Sequence, residues 1–192
     1  MRISEVKRQT KETAITVKLN LDGKGQHDIA TGIGFFDHML TALAVHGGFD
    51  LTVHAQGDLY VDGHHTVEDV GIVFGQALKD ALGDRKNINR FGNSLIPMDE
   101  TLARAVVDVS GRPFLVFEGQ FSPLCLGTYD PSLTVEFFRA VAHHSELTIH
   151  LAILYGDNDH HKTEALFKAF AHSLKVAVAL NESDVLSTKG VL

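Results

Sequence analysis

His64-His65-Thr66-Val67-Glu68 and its echo, His160-His161-Lys162-Thr163-Glu164, each set two imidazoles beside a carboxylate. On a helix every residue advances by about 100°, so the glutamate shares a face with the first histidine and lies one helical step from the second. Adjacent histidines diverge too far to chelate one ion, so each His-His-x-x-Glu run suits two different ions, one on either side of its helix. Imidazole nitrogen with carboxylate oxygen is a donor set for Mn, Fe or Zn. Both runs fall in the first turn of an expected helix, where the positive end of the dipole disfavours imidazolium and favours the neutral, metal-binding ring. One copy alone is equally well a solvated helix start with chance histidines. Two copies in one chain tip the reading to a di-metal site.

Further donors are sought at the heads of the other helices. His38 in the first half and Glu136 in the second occupy comparable points, with His143, His144 and His150 as rivals to Glu136. Arg90, Arg112 and the run Ser187-Thr188-Lys189-Gly190 put cations and small donors in turns, where arginine can clamp a phosphate and lysine supply a point charge. Taken singly these read as surface arginines and a frayed tail. Lys168, one turn past Glu164, reads as a solvated lysine unless a ligand sits beside it. Glu12, just before a strand, is a solvated charge unless a substrate reaches it, in which case it is a candidate acid or base.

These residues need a scaffold, and its pattern is duplicated. Alternation marks strands at 3–9 and 14–21, and Gly23-Lys24-Gly25 turns the chain. Phe35, Met39, Leu40 and Leu43 predict a helix over 35–44, ended by Gly47-Gly48. A strand at 51–54 and a helix over 64–82 follow, with Val67, Val70, Phe74 and Leu78 on its inner face. In the second half, 96–109 reads as a strand pair or one long strand and 113–118 as another strand. A helix over 135–144, a strand at 147–150 and a helix over 160–180 complete it, with Asn158-Asp159 as cap. Letters recur in the same order: Glu12-Thr13 and Glu100-Thr101, Leu-Thr-Val-His at 51–54 and Leu-Thr-Ile-His at 147–150, Gly57-Asp58 and Gly156-Asp157. The expected fold is an α/β chain of α+β sandwich type. It is a tandem duplication of two β-β-β-α-β-α half-domains, residues 1–88 and 89–182, each a mixed sheet covered by two helices, followed by a C-terminal tail at 183–192.

Composition narrows the function classes. The formal charge of -7 and the absence of a basic run argue against a nucleic-acid partner. A single cysteine, Cys125, allows no intrachain disulfide, and the start carries neither a signal-peptide core nor a membrane-spanning run, so a cytoplasmic protein is the expectation.

Six motifs in order resemble the imidazoleglycerol-phosphate dehydratase family of histidine biosynthesis: Phe35 to Leu40, His64 to Asp69, Pro97 to Thr101, Ser110 to Pro113, His160 to Glu164 with Phe167 to Phe170, and Ser187 to Gly190. The resemblance covers essentially the whole chain. It implies a hydro-lyase that converts imidazole glycerol phosphate to imidazole acetol phosphate and water, with two Mn2+ ions per site stabilising an imidazolate. It further implies a homo-oligomeric shell of 24 subunits with sites between them. Carried over, the metal ligands are His38, His64, His65, Glu68, Glu136, His160, His161 and Glu164; many members have histidine at position 136. The small phosphorylated imidazole substrate would meet Glu12, His38, His46, His64, Arg90, Arg112, Lys168, Ser187, Thr188 and Lys189. Glu12 is the expected proton shuttle, with Glu68 and Glu164 as competitors. Two rivals are a di-metal phosphoesterase, which would release inorganic phosphate, and a metal-storing shell, which would not need Arg90, Arg112 and Lys189 near the ions.

Overall fold

The structure, a computed structural model, describes residues 2–182 and 185–190. The expected C-terminal tail therefore lies partly outside the described residues, at 183, 184, 191 and 192. The first half runs β1 (Ile3–Gln9), β2 (Thr13–Asn20), β3 (His27–Ala30), α1 (Gly34–Gly47), β4 (Asp50–Gly57) and α2 (His64–Leu82). The second runs β5 (Phe91–Met98), β6 (Thr101–Asp108), β7 (Phe114–Glu118), α3 (Leu133–Ser145), β8 (Thr148–Tyr155) and α4 (Asp159–Val178). The element order is the same in both, and so is the sheet: β1-β2-β4-β3 and β5-β6-β8-β7, antiparallel except for the last strand.

Period-two burial explains the central strands. In β2, Thr13, Ile15, Val17 and Leu19 point inward, and in β6 Thr101, Ala103, Ala105 and Val107 do. The hairpin β5–β6 turns at Asp99-Glu100 and starts earlier than the sequence pattern suggested. The short parallel strand β3 was not locatable from letters, because His-Asp-Ile-Ala offers one large apolar residue. With Thr13 set against Thr101, the ladders place Val17 opposite Val53 and Ala105 opposite Leu151. Val53 thus answers Leu151, two residues beyond the letter match with Ile149. An even slip keeps every side chain on its face, so the duplication survives it.

Helices α1 and α2 cover the first sheet, α3 and α4 the second, and the two helical layers meet with α2 on α3 and α1 on α4. Phe137 of α3 is the hub of that interface: its ring centroid lies 5.4 Å from Phe36, 6.3 Å from Phe74 and 5.3 Å from Phe167, one contact to each other helix. Helix α1 ends as expected, with Gly48 at φ 71° closing it in the left-handed conformation that glycine adopts without strain. Among the described residues no helix is long and apolar enough to cross a membrane. The apposed helix layers decide where the chemistry sits, because α1 and α4 advance side by side in the same direction.

Candidate metal centre

The first histidine of each His-His-x-x-Glu run turns back over its own helix. His64 Nε2 lies 3.4 Å from Glu68, and His160 Nε2 lies 3.1 Å from Glu164. The second rings stand at 80° and 79° to the first and face elsewhere, as helical geometry requires of adjacent positions. At the head of α4 the Asn158 side chain accepts the backbone N–H groups of His160 and His161. At α2 the N-cap is Gly63 without a side chain, and Asp62 instead accepts from the His64 N–H at 2.8 Å.

Helix α1 carries His38 across to this point, its Nε2 3.2 Å from Glu164 Oε2. His38, His160 and Glu164 thereby offer donor atoms that all lie within 4.8 Å of one another, the single such group of three among the described residues. A first-row metal–nitrogen bond is about 2.1 Å, so donors separated by about 4 Å or less can share an ion, and the 3.1 and 3.2 Å His–Glu pairs are close enough to do so. The ring of Phe35 stands edge-on to His160 at 4.9 Å and supplies an apolar wall. Burial resists ionisation of Glu164, but Lys168 Nζ at 2.6 Å and the neighbouring His38 hold its carboxyl below the usual glutamate value. An ionised carboxylate facing two imidazoles fits a divalent cation.

The second histidines are held from behind by carboxylates. Asp58 takes the His65 Nδ1 at 3.0 Å, and this bond raises the His65 pKa above the ordinary histidine value. Glu100 takes the His161 Nδ1 at 2.7 Å, while on the ring's other side the exposed Asp99 lies 3.6 Å from Nε2, beyond hydrogen-bond distance. Backbone donors at Asn158, with His161 next in strength, hold the Glu100 carboxyl far below the usual range. Asp58 and Glu100 were not picked out as site residues from sequence, although the repeated Gly-Asp and Glu-Thr pairs were the available signal. Glu12 projects beside His65, its Oε2 4.0 Å from Nδ1, with its side chain largely exposed.

Other expected residues are placed differently. Glu136 is not brought to the three-donor group within the chain: its carboxylate pairs with Arg139, one turn on along the same exposed face. His143 and His144 meet edge to face near the end of α3, and His150 is exposed on β8. Arg90, Arg112, Ser187, Thr188 and Lys189 do converge, lining one open cavity of about 580 Å3. Asp108 at 2.7 Å and the Leu186 carbonyl at 2.5 Å aim the Arg90 guanidinium there. Lys168 and His46 do not line it. Lys168 stays on Glu164, and His46 Nδ1 meets His172 Nε2 at 3.3 Å, on the α1–α4 seam below the three donors. Burial, then the charge of Lys168, pulls the His46 pKa below its ordinary value.

Comparison with known proteins agrees across the chain. A family model described as imidazoleglycerol-phosphate dehydratase matches residues 31–174, a span that includes both His-His-x-x-Glu runs, Arg90 and Arg112. Imidazoleglycerol-phosphate dehydratases from Exiguobacterium sp. and Lacticaseibacillus casei are 58% and 57% identical. The first covers 99% of this chain and 98% of its own, the second 100% of both, so Glu12 and the tail are included. A crystal structure of the Staphylococcus aureus enzyme superposes with a TM-score of 0.85 at 43% identity, covering 93% of this chain and 99% of that one. That of the Pyrococcus furiosus enzyme in complex with (S)-C348 gives 0.85 at 39%, covering 97% and 100%.

Proposed function

The chain belongs to the imidazoleglycerol-phosphate dehydratase family, and from that premise we propose that it works as a two-Mn2+ enzyme whose sites are completed between subunits. Membership makes it a dehydratase of histidine biosynthesis; the metal, the residue roles and the assembly are the proposal. The single observation that carries it is the convergence of His38, His160 and Glu164 from two different halves of the fold.

His38, His160 and Glu164 would hold one share of the metal ligands, and His64 with Glu68 another. His65 and His161 face away from their neighbours, which favours completion of each shell by a second copy; the resemblance puts 24 copies in the assembly. Glu136 would join only by leaving Arg139. Bound Mn2+ would act as a Lewis acid at the ring nitrogens of the substrate, easing loss of the ring proton so that the ring's own electrons can help expel a neighbouring hydroxyl.

The remaining chemistry falls to side chains. The proton to be removed sits on a carbon with no adjacent carbonyl and is barely acidic, so a placed base is needed. Glu12 would take that proton and can return one to the departing hydroxyl. One C–H and one C–O bond break, water leaves, and the enol formed becomes the ketone of imidazole acetol phosphate. Arg90, Arg112, Ser187, Thr188 and Lys189 would hold the phosphate through charge-assisted hydrogen bonds. Lys168 and His46, on the α1–α4 seam, would reach the substrate only from the metal side.

The test is removal of metal by a chelator, with metal content, turnover and gel-filtration volume followed as Mn2+ is restored. Turnover should vanish with the metal and return with it, and assembly should follow. Full turnover by a metal-free monomer would overturn the proposal.

A further inference from the structure

Glu12 and Glu100 stand at the same point of the repeat, each one residue before the inner threonine that opens β2 or β6. Their surroundings differ. In the first half Asp58, from the loop after β4, accepts from His65 Nδ1 at 3.0 Å, and Glu12 remains 4.0 Å away. In the second half Glu100 itself has taken that place. Its Oε2 lies 2.7 Å from His161 Nδ1, while Oε1 accepts from the Asn158 N–H at 2.9 Å, the Asp157 N–H at 3.2 Å and the Thr101 hydroxyl at 3.1 Å.

We infer that Glu100 is a positioning residue, which pins the β5–β6 turn to the head of α4 and fixes His161 with its proton on Nδ1 and its lone pair on Nε2. An ionised carboxylate has no proton to give, so the shared hydrogen must be the ring's own. A histidine held in this way presents the other nitrogen, unprotonated, to a metal. The two halves have thus divided a duplicated carboxylate between two tasks. Asp58 relieves Glu12 of holding a ring and leaves it exposed for proton transfer, whereas three donors immobilise Glu100 and rule it out as a second shuttle.

The inference rests on the metal reading above, and the experiment separates the two. Wild-type protein, Glu100→Ala, Glu100→Gln and Glu12→Gln are stripped of metal and titrated with Mn2+ by calorimetry, with thermal unfolding of each metal-free sample alongside. In Glu100→Gln the amide oxygen must stay on the three converging donors, so the NH2 group faces His161 and forces its proton to Nε2. A merely structural glutamate would be rescued by glutamine. A positioning one would not: Glu100→Gln should unfold within a few degrees of wild type yet lose about 10- to 100-fold in Mn2+ affinity at one class of site, as Glu100→Ala does. Glu12→Gln should bind like wild type. Wild-type affinity in Glu100→Gln, or an equal loss in Glu12→Gln, would overturn the assignment. Failure of the wild-type protein to bind Mn2+ at all would instead remove the metal reading and this inference with it.

Discussion

Glu12 owes its freedom to neighbours that hold everything around it. The Thr10 hydroxyl accepts the backbone N–H groups of Glu12 and Thr13 at 3.1 and 3.0 Å, shaping the turn. Asp69 of α2 then ties that turn down, accepting from the Thr13 hydroxyl and pairing with Arg8 at 2.6 Å. The carboxylate is therefore aimed without being engaged, the arrangement a proton shuttle needs. Glu12→Gln should keep the fold and the metal and lose about 100- to 10,000-fold in turnover, the usual contribution of a placed acid or base. Steady-state kinetics on the purified variant checks this, and near-normal turnover would take Glu12 out of the reaction. At this scale the sequence was informative about types and silent about partners. The His-His-x-x-Glu spacing told which atoms share a face, because that follows from helical pitch alone. That Glu136 would meet Arg139, or that Lys168 would spend its charge on Glu164, depends on rotamers and neighbours that spacing does not encode.

At the scale of elements, the chemistry depends on how closely the helix layers approach. Helix α2 presents Gly71 and Gly75 to α3, where a Cβ on Gly71 would lie 2.7 Å from the Phe137 carbonyl and 2.9 Å from the Ala140 Cβ. Alanine normally improves a helix by about 1 kcal/mol over glycine. Overpacking a rigid interface costs about 1–3 kcal/mol, so the clash should win. Gly71→Ala is expected to lower the unfolding free energy in denaturant titration; a more stable variant would show that the layers have slack. The same interface is braced at its far end by Glu146, which pairs with Lys79 at 2.5 Å and Arg85 at 2.6 Å. Arg85, then Lys79, hold the Glu146 carboxyl below its ordinary value. A depressed carboxyl contributes stability that is fully present above the ordinary glutamate value and is lost as pH falls through the folded one. The stability gap between wild type and Glu146→Gln should therefore be roughly 1 kcal/mol at neutral pH, after allowance for solvent screening, and close as pH falls below the ordinary glutamate value. A gap independent of pH would mean that the brace is not ionic.

For the whole molecule, duplication was the most legible feature, since six elements recur in one order and the sheets repeat the same strand sequence. The meeting of the halves was not legible. Two sheet-and-helix layers can be joined in several ways, and only the packed structure, with Phe137 at the junction of four helices, brings His38 to His160 and Glu164. That contact is where the proposed metal centre would form, and it can be examined without reference to turnover. The most direct measurement is anomalous diffraction at the manganese edge from crystals soaked in Mn2+. The account predicts a peak bounded by His38 Nε2, His160 Nε2 and a Glu164 oxygen. Well-ordered side chains at those three positions with no peak between them would contradict it.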